Sequence, residues 1–369
     1  MQLSSLQHAL LERIQQQGAI TFEEYMRMAL YEPGAGYYVT GQAKMGWEGD
    51  YYTSTDIADF FAHCMGRQLQ QMWESLGKPA HFGVLEQGAG RGDLAKEVQQ
   101  WASTAAPEFH AALDYRLADI TFGQDALSIR TDDFIPSVIL SNELVDAFPV
   151  HIVEKQDEAL HEVYVTIQNG RLAETLQPLE DGPLLAYFER FHIPWQTFPS
   201  GWRAEVNLDA ITWMERTSQL LLGPNPKRKR RGFIIAIDYG DSARELYSTE
   251  RYRGTLASYY QHQFSERPLA RPGEQDITAH VNFTALLDAG RQQGLRLHKY
   301  TTQRKWLMET GIYEELEQVH QQHFGIIDQN RASDQGQVAL LQWYNLRQRV
   351  SALTDPRGMG DFKVLILKR

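Results

Sequence analysis

Gly88, Gly90 and Gly92 stand at alternate positions, directly after Val84-Leu85-Glu86-Gln87 and ahead of a stretch with helical spacing over residues 94–101. Alternate glycines let a backbone turn sharply and approach a ligand with no side chain in the way. A helix that starts there points its first N–H groups at whatever lies over the turn. The chemistry is that of a nucleotide-cofactor loop. A dinucleotide fingerprint needs G-x-G-x-x-G, so that a pyrophosphate sits on the helix N-terminus. Here Asp93 stands where the third glycine would be. Carboxylates at Glu86 and Asp93 are poorly suited to a pyrophosphate. They suit a cationic ligand without phosphates, such as S-adenosylmethionine (SAM), and disfavour an NAD-linked oxidoreductase. The plain alternative is a glycine-rich structural turn.

Further polar residues fall where an open α/β sheet binds ligands. Asp119 ends a short strand over 114–119 and lies 27 residues past Gly92. A carboxylate there holds a ribose by its hydroxyls in a Rossmann-type fold. The apolar run 135–140 empties into Ser141, Asn142, Glu143 and Asp146, at the carboxyl end of a buried strand. Glu143 and Asp146 are three apart, so they share a face if the segment turns helical. Ahead of the glycines, the loop with Tyr51, Tyr52, Thr53 and Ser54 reads either as a lid or as a loop packed by its own aromatics. Residues 251–282 read as irregular and dense in His, Tyr, Arg and Asp, including Asp276 and His280; such a long segment in a compact domain is usually functional or disordered. His320 and His323 lie one turn apart with no third ligand nearby, so no metal is expected.

These groups need elements to carry them. Apolar periodicity predicts helices over 6–17, 56–76, 209–222, 283–293 and 303–316, and Thr21 with Glu24 caps a helix that ends before Pro33. A buried strand is predicted over 232–240, further strands over 295–300 and 361–368, and antiparallel strands at 152–154 and 163–165 with a turn at 168–171. The segmentation is an N-terminal helical and lid region over 1–78, a sheet domain over 79–150 and 206–369, and an inserted β-containing lobe over 151–205. The 369 residues are 43% hydrophobic and carry a net charge of -11. That charge opposes nucleic-acid binding and favours a basic partner or a cationic substrate. No stretch has the apolar length of a membrane span. Residues 1–18 lack an apolar signal core and are poor in Arg, which favours a cytoplasmic location. A single cysteine, Cys64, excludes a disulfide framework. The basic run 226–231 is read as a solvated loop.

E-x-G-x-G-x-G after a strand resembles the first motif of Rossmann-like SAM methyltransferases. The whole chain is similar to the MidA-like family of these enzymes, whose members include a mitochondrial complex I assembly factor that methylates protein arginine. The matching stretches run in order: ITFEEYMRMALYEPGAGYY (20–38), GDYYTSTDIADFF (49–61), LEQGAGRGDL (85–94), SNELVDAFPVH (141–151), EVN (205–207), IAIDYG (235–240), RGTLASY (253–259), PGEQDITAHVNFTAL (272–286), TTQ (301–303) and GMGDFKVLILK (358–368). Where the family has Glu at the end of the second strand, this chain has Asp119 and a shortened Ile120-Thr121-Phe122-Gly123.

The resemblance implies a Rossmann-like sheet of seven strands, an N-terminal helical cover and an inserted substrate lobe. It implies SAM contacts at Glu86, Gly88, Gly90, Gly92 and Asn142, Asp119 on the ribose, and Tyr51, Thr53 and Ser54 closing over the methionine end. The implied acceptor is an arginine of a partner protein, with a respiratory-complex subunit as one candidate. Carboxylates that pair with a guanidinium orient it and hold its charge on the non-attacking nitrogens; Glu143 and Asp146 are the first candidates, Asp238, Asp276 and His280 come second, and His280 is a candidate proton acceptor. Two competing classes are a small-molecule methyltransferase and a SAM-binding assembly factor that works by docking a partner.

Overall fold

The structure is a computed structural model that describes residues 4–40, 59–119, 134–223, 230–261, 263–325, 327 and 333–369. In chain order its main elements are α1 (Ser5–Gln17), α2 (Phe22–Tyr31), α3 (Asp59–Ser75), β1 (Phe82–Gln87), α4 (Asp93–Ala105), β2 (Leu113–Ala118), β3 (Pro136–Asn142), β4 (His151–Gln156), β5 (Ala159–Gln168), β6 (Arg171–Pro178), β7 (Arg203–Val206), α5 (Leu208–Leu222), β8 (Phe233–Asp238), β9 (Ala257–Tyr260), β10 (Gln263–Ser265), β11 (Asp276–Thr278), α6 (Phe283–Gln292), β12 (Arg296–Thr302), α7 (Asp334–Thr354) and β13 (Lys363–Lys368).

The main sheet has the order β12-β13-β8-β3-β1-β2. Its four strands β8, β3, β1 and β2 are parallel, and β13 and β12 add antiparallel at one end. Seven strands were expected; the described residues supply six. β1 and β8 are buried at every residue, because helices cover both faces and each face needs apolar side chains. Successive residues accordingly feed opposite cores. Val84, Ile235 and Val364 pack with α3 and α4 on one face. Leu85, Ile234 and Leu365 pack with α5 and α6 on the other. After β1 the chain adds β2 on one side and β3 on the other. The order therefore switches at β1, and ligands bind at the carboxyl ends of the strands beside such a switch.

Residues 151–206 build a separate antiparallel sheet of β4, β5, β6 and β7. Its β5–β6 hairpin turns on Asn169 and Gly170, both at positive φ (53° and 73°), as a two-residue hairpin turn requires. Ile20–Thr21 pairs with Val165 and Tyr164 of β5. A third core joins α1 and α2 to this sheet and to Ile277 and Ala279. The N-terminal segment is thus fastened to the lobe and to the β11 strand.

Two stretches differ from expectation. Residues 251–282 are not irregular throughout: β9, β10 and β11 form a three-stranded antiparallel sheet between turns, and its strands of three or four residues are too short to leave a clear alternation in sequence. The helix expected over 303–316 is two, Gln303–Glu309 and Ile312–Val319, separated at Gly311 in the left-handed region (φ 89°). Among the described residues no helix is long and apolar enough to cross a membrane.

Candidate functional site

β1 delivers Glu86 to the glycine turn. The turn needs its glycines: Gly88 and Gly92 have φ of 72° and 77°, values that L side chains rarely adopt. A Cβ on Gly88 would lie 2.8 Å from Leu144 Cδ1, and one on Gly92 would lie 2.7 Å from Leu117 Cδ1. The Gly88 N–H donates to Ala118 O at 2.8 Å, and the Gly90 N–H donates to Asp119 Oδ2 at 2.9 Å. Asp119 therefore fixes the turn as well as standing at the end of β2.

Glu86 is only 3% exposed and accepts the Tyr115 hydroxyl at 3.0 Å. Burial pushes its carboxyl up to about 8, with Asp119 and Asp93 adding to the rise. A neutral carboxyl at the base of the turn is primed to ionise when a cation arrives. Asp93 is less involved than its spacing suggested, because it turns to Arg91 in a half-exposed ion pair at 2.8 Å.

The second cluster sits at the ends of β3 and β8. Glu143 has a φ of 51° and its N–H donates to Ile237 O at 2.9 Å. The only helical geometry is a 3-10 turn over Val145–Ala147. Glu143 and Asp146 thus do not share a helix face, because the left-handed residue precedes the turn that carries Asp146. Asn142 Nδ2 donates to Glu143 Oε1 at 3.1 Å. Asp238 anchors the turn: its Oδ2 accepts the N–H groups of Val145 at 2.9 Å and Asp146 at 3.3 Å.

The Asp146 side chain is 6% exposed. Its Oδ2 accepts the Tyr239 hydroxyl. Its Oδ1, together with Asn142 Oδ1 and Ser141 Oγ, has no hydrogen-bond partner among the described residues. A buried polar atom left unpaired costs about 1–3 kcal/mol, and such a group in a native fold calls for a ligand, water or ion. Burial raises the Asp146 carboxyl to about 6. Burial, then the neighbouring Asp146 and Glu143, raises Asp238 well above the ordinary carboxylate range.

His280 is less suited to proton uptake than its residue type suggested. Its Nδ1 lies 3.3 Å from Arg251 Nη1, and Arg251 pairs with Asp241 at 2.7 Å. Burial, then Arg251 and Lys363, push the imidazole down to about 4. The ring is neutral at physiological pH and packs edge-on against Tyr239, centroids 5.3 Å apart.

Sequence reasoning passed over the residues that hold these groups in place. Tyr239 follows β8 and reaches back to Asp146. Asn207 caps α5 by accepting the Ala210 N–H at 2.8 Å, and its Nδ2 donates to Val145 O at 3.2 Å. Glu205 accepts the N–H and hydroxyl of Thr255 at 2.8 and 2.9 Å. The EVN and RGTL motifs thus brace one another, and their positions within quoted motifs were the available signal. Tyr51, Thr53 and Ser54, residues 120–123 and most of the basic run 226–231 lie outside the described residues.

A family model described as S-adenosyl-L-methionine-dependent methyltransferase matches residues 64–301, more than half of the chain. Among curated proteins, the chain is 25% identical over 324 residues to "Protein arginine methyltransferase NDUFAF7 homolog, mitochondrial" of Drosophila melanogaster, covering 79% of this chain and 71% of that protein. It is 26% identical over 325 residues to the Mus musculus protein arginine methyltransferase NDUFAF7, mitochondrial, covering 77% and 69%. Among solved structures, a Burkholderia thailandensis protein bound to S-adenosyl-homocysteine superposes with a TM-score of 0.78 at 26% identity, over 99% of this chain and 92% of that one. A native structure from the same organism gives 0.75 at 25% identity, over 99% and 91%. A Rossmann-like sheet that switches at a three-glycine turn, and a family match that covers its parallel strands and residues 151–206, lead to one conclusion: this chain belongs to the MidA-like family of SAM-dependent methyltransferases.

Proposed function

We propose that the chain methylates an arginine side chain of a partner protein. The observation that carries this reading is Asp146 Oδ1: a buried carboxylate oxygen without a partner, at the carboxyl end of the sheet, with no lysine or arginine paired to it among the described residues. A carboxylate so placed selects a cationic, hydrogen-bond-donating acceptor. The names of the curated relatives point the same way.

The residues fit SAM. The left-handed glycines keep side chains off the turn, Glu86 offers a buried carboxyl to a cationic end, and Asp119 stands fixed beside the turn for hydroxyl groups. In this reading Glu86, Gly88, Gly90, Gly92, Asp119 and Asn142 hold SAM, which when bound supplies an electrophilic methyl group on a sulfonium. Asp146 would accept an N–H of the acceptor, orient its nitrogen and take the proton that the nitrogen sheds when it gains the methyl carbon and the sulfonium S–C bond breaks, leaving the thioether S-adenosylhomocysteine. Glu143 pairs with the guanidinium charge. Much of the rate comes from this positioning, since the displacement is in-line.

The test uses the purified chain, methyl-labelled SAM and a proteome from cells lacking this protein. Acid hydrolysis of the labelled protein should yield methylarginine. Label in lysine or in a small-molecule fraction would overturn the reading. Glu143→Gln should bind S-adenosylhomocysteine normally and lose turnover; full turnover removes Glu143 from this assignment.

A further inference from the structure

Besides Asp238, another carboxylate reaches the Asp146 region from a different part of the chain. Asp276 opens β11 and is 3% exposed. The Ala279 N–H donates to Asp146 O at 3.0 Å, which ties the end of β11 to the turn that carries Asp146. Tyr31 and Tyr259 each feel both carboxylates, which add to the upward push of burial on their hydroxyls. The two acids therefore share one neighbourhood although 130 positions separate them in the sequence.

The N-terminal segment covers this neighbourhood. Tyr38 donates its hydroxyl to Asp276 Oδ1 at 2.7 Å, and Tyr31 donates to Ala147 O at 2.8 Å. The two rings stack, with centroids 5.6 Å apart and planes at 27°. Tyr239 donates its hydroxyl to Asp146 Oδ2. Four half-buried tyrosines thus meet this region: Tyr38 bonds Asp276, Tyr239 bonds Asp146, Tyr31 bonds the backbone beside Asp146, and Tyr259 pairs with Asp276 across β9 and β11. Aromatic faces attract cations. The cluster is more than a group of acids, because Asp146 Oδ1 and Asn142 Oδ1 are both over nine-tenths buried and have no partner among the described residues.

We infer that Asp276 is a further carboxylate, beside Asp146 and Glu143, of a tyrosine-walled chamber for the acceptor guanidinium, and that Tyr38 is its positioning residue. The inference rests on the arginine reading above. A planar guanidinium offers N–H groups on more than one edge and can bridge two carboxylates, whereas an ammonium is a compact point charge. Asp146 and Asp276 lie on separate elements, so each meets a different edge. On this basis the N-terminal segment, through Tyr38, takes part in choosing the acceptor.

The test measures binding of Nα-acetyl-arginine N-methylamide, and of the lysine equivalent, to the full chain loaded with S-adenosylhomocysteine, by ligand-observed NMR. Wild type should prefer the arginine probe, and Asp276→Asn should weaken it by about 10- to 100-fold, the worth of one charge-assisted hydrogen bond. Affinity for S-adenosylhomocysteine should stay within about twofold. Tyr38→Phe keeps the charge and loses the hydroxyl, so KM for an arginine peptide should rise by roughly tenfold with kcat retained. Equal binding of the arginine probe by Asp276→Asn and wild type, or no binding by wild type, overturns the inference. Methylarginine formed by Asp276→Asn with an unchanged KM overturns it too and leaves the arginine reading standing. Methyl label on an uncharged acceptor defeats both. If Asp276→Asn does not fold, Tyr38→Phe decides: an unchanged KM overturns the inference.

Discussion

Replacing Glu86 with Gln tests whether the base of the glycine turn is an ionisable cation site. The carboxyl is held at about 8 against an ordinary 4.5, chiefly by burial. In the folded, cofactor-free protein it keeps a proton that the unfolded chain has already released. The cost to stability is therefore absent below pH 4.5, grows as pH rises through the window, and is complete above about 8. At 1.36 kcal/mol per pH unit, the gap between 4.5 and 8 is worth about 5 kcal/mol. Gln keeps the shape and removes the titration. Urea unfolding at pH 5, 7 and 9 should show wild type losing stability relative to Glu86→Gln by an amount on the order of 3–5 kcal/mol. A bound cation offsets the cost, so saturating S-adenosylhomocysteine should flatten the wild-type slope. Calorimetry at pH 7 in buffers of different ionisation enthalpy should show proton release on binding that is smaller in the variant. Parallel stability profiles for the two proteins would refute the argument, because they would mean that Glu86 is ionised in the free fold.

Three other outcomes follow from the site. With Asp146 as the proton acceptor and its carboxyl at about 6, kcat should fall as pH drops through about 6; Asp146→Asn should erase that acid limb and lower kcat by about 10²–10⁴-fold in a radiolabel assay. Gly88→Val places a branched side chain at a φ of 72° against Leu144 and should abolish S-adenosylhomocysteine binding while costing about 1–3 kcal/mol in chemical denaturation. Asn207→Ala loses the α5 cap and the bond to Val145 O, so thermal unfolding should report a loss of about 1–2 kcal/mol.

Much of the fold is legible in the chain because its signals are local. The apolar runs of β1 and β8 have side chains to bury on both faces, and this excludes an exposed hairpin. The glycine turn announces itself because three consecutive alternate positions require left-handed backbone, which few other residues accept. Thr21 was readable as a cap because its hydroxyl accepts the Glu24 N–H three residues on, at 3.1 Å. Signals fade where elements are short. β9, β10 and β11 hold only three or four residues each, and at that length alternation is indistinguishable from chance. Gly311 sits inside a stretch whose apolar spacing stays helical on either side, so periodicity alone runs across the break.

The sequence by itself determined the Rossmann-like sheet, the cofactor class and the neighbourhood of Asn142, Glu143 and Asp146, since each depends on residues within a few positions of one another. Only the tertiary structure decided what those residues do together. Glu143 left the Asp146 face because its N–H turns to Ile237 O across the sheet. Asp146 gained a holder, Tyr239, 93 residues later, and His280 lost its basicity to burial first and then to Arg251 and Lys363. Asp276 met Tyr38 across 238 residues. Burial and partners at such separations set the charge and aim of each group, and neither is encoded in local spacing.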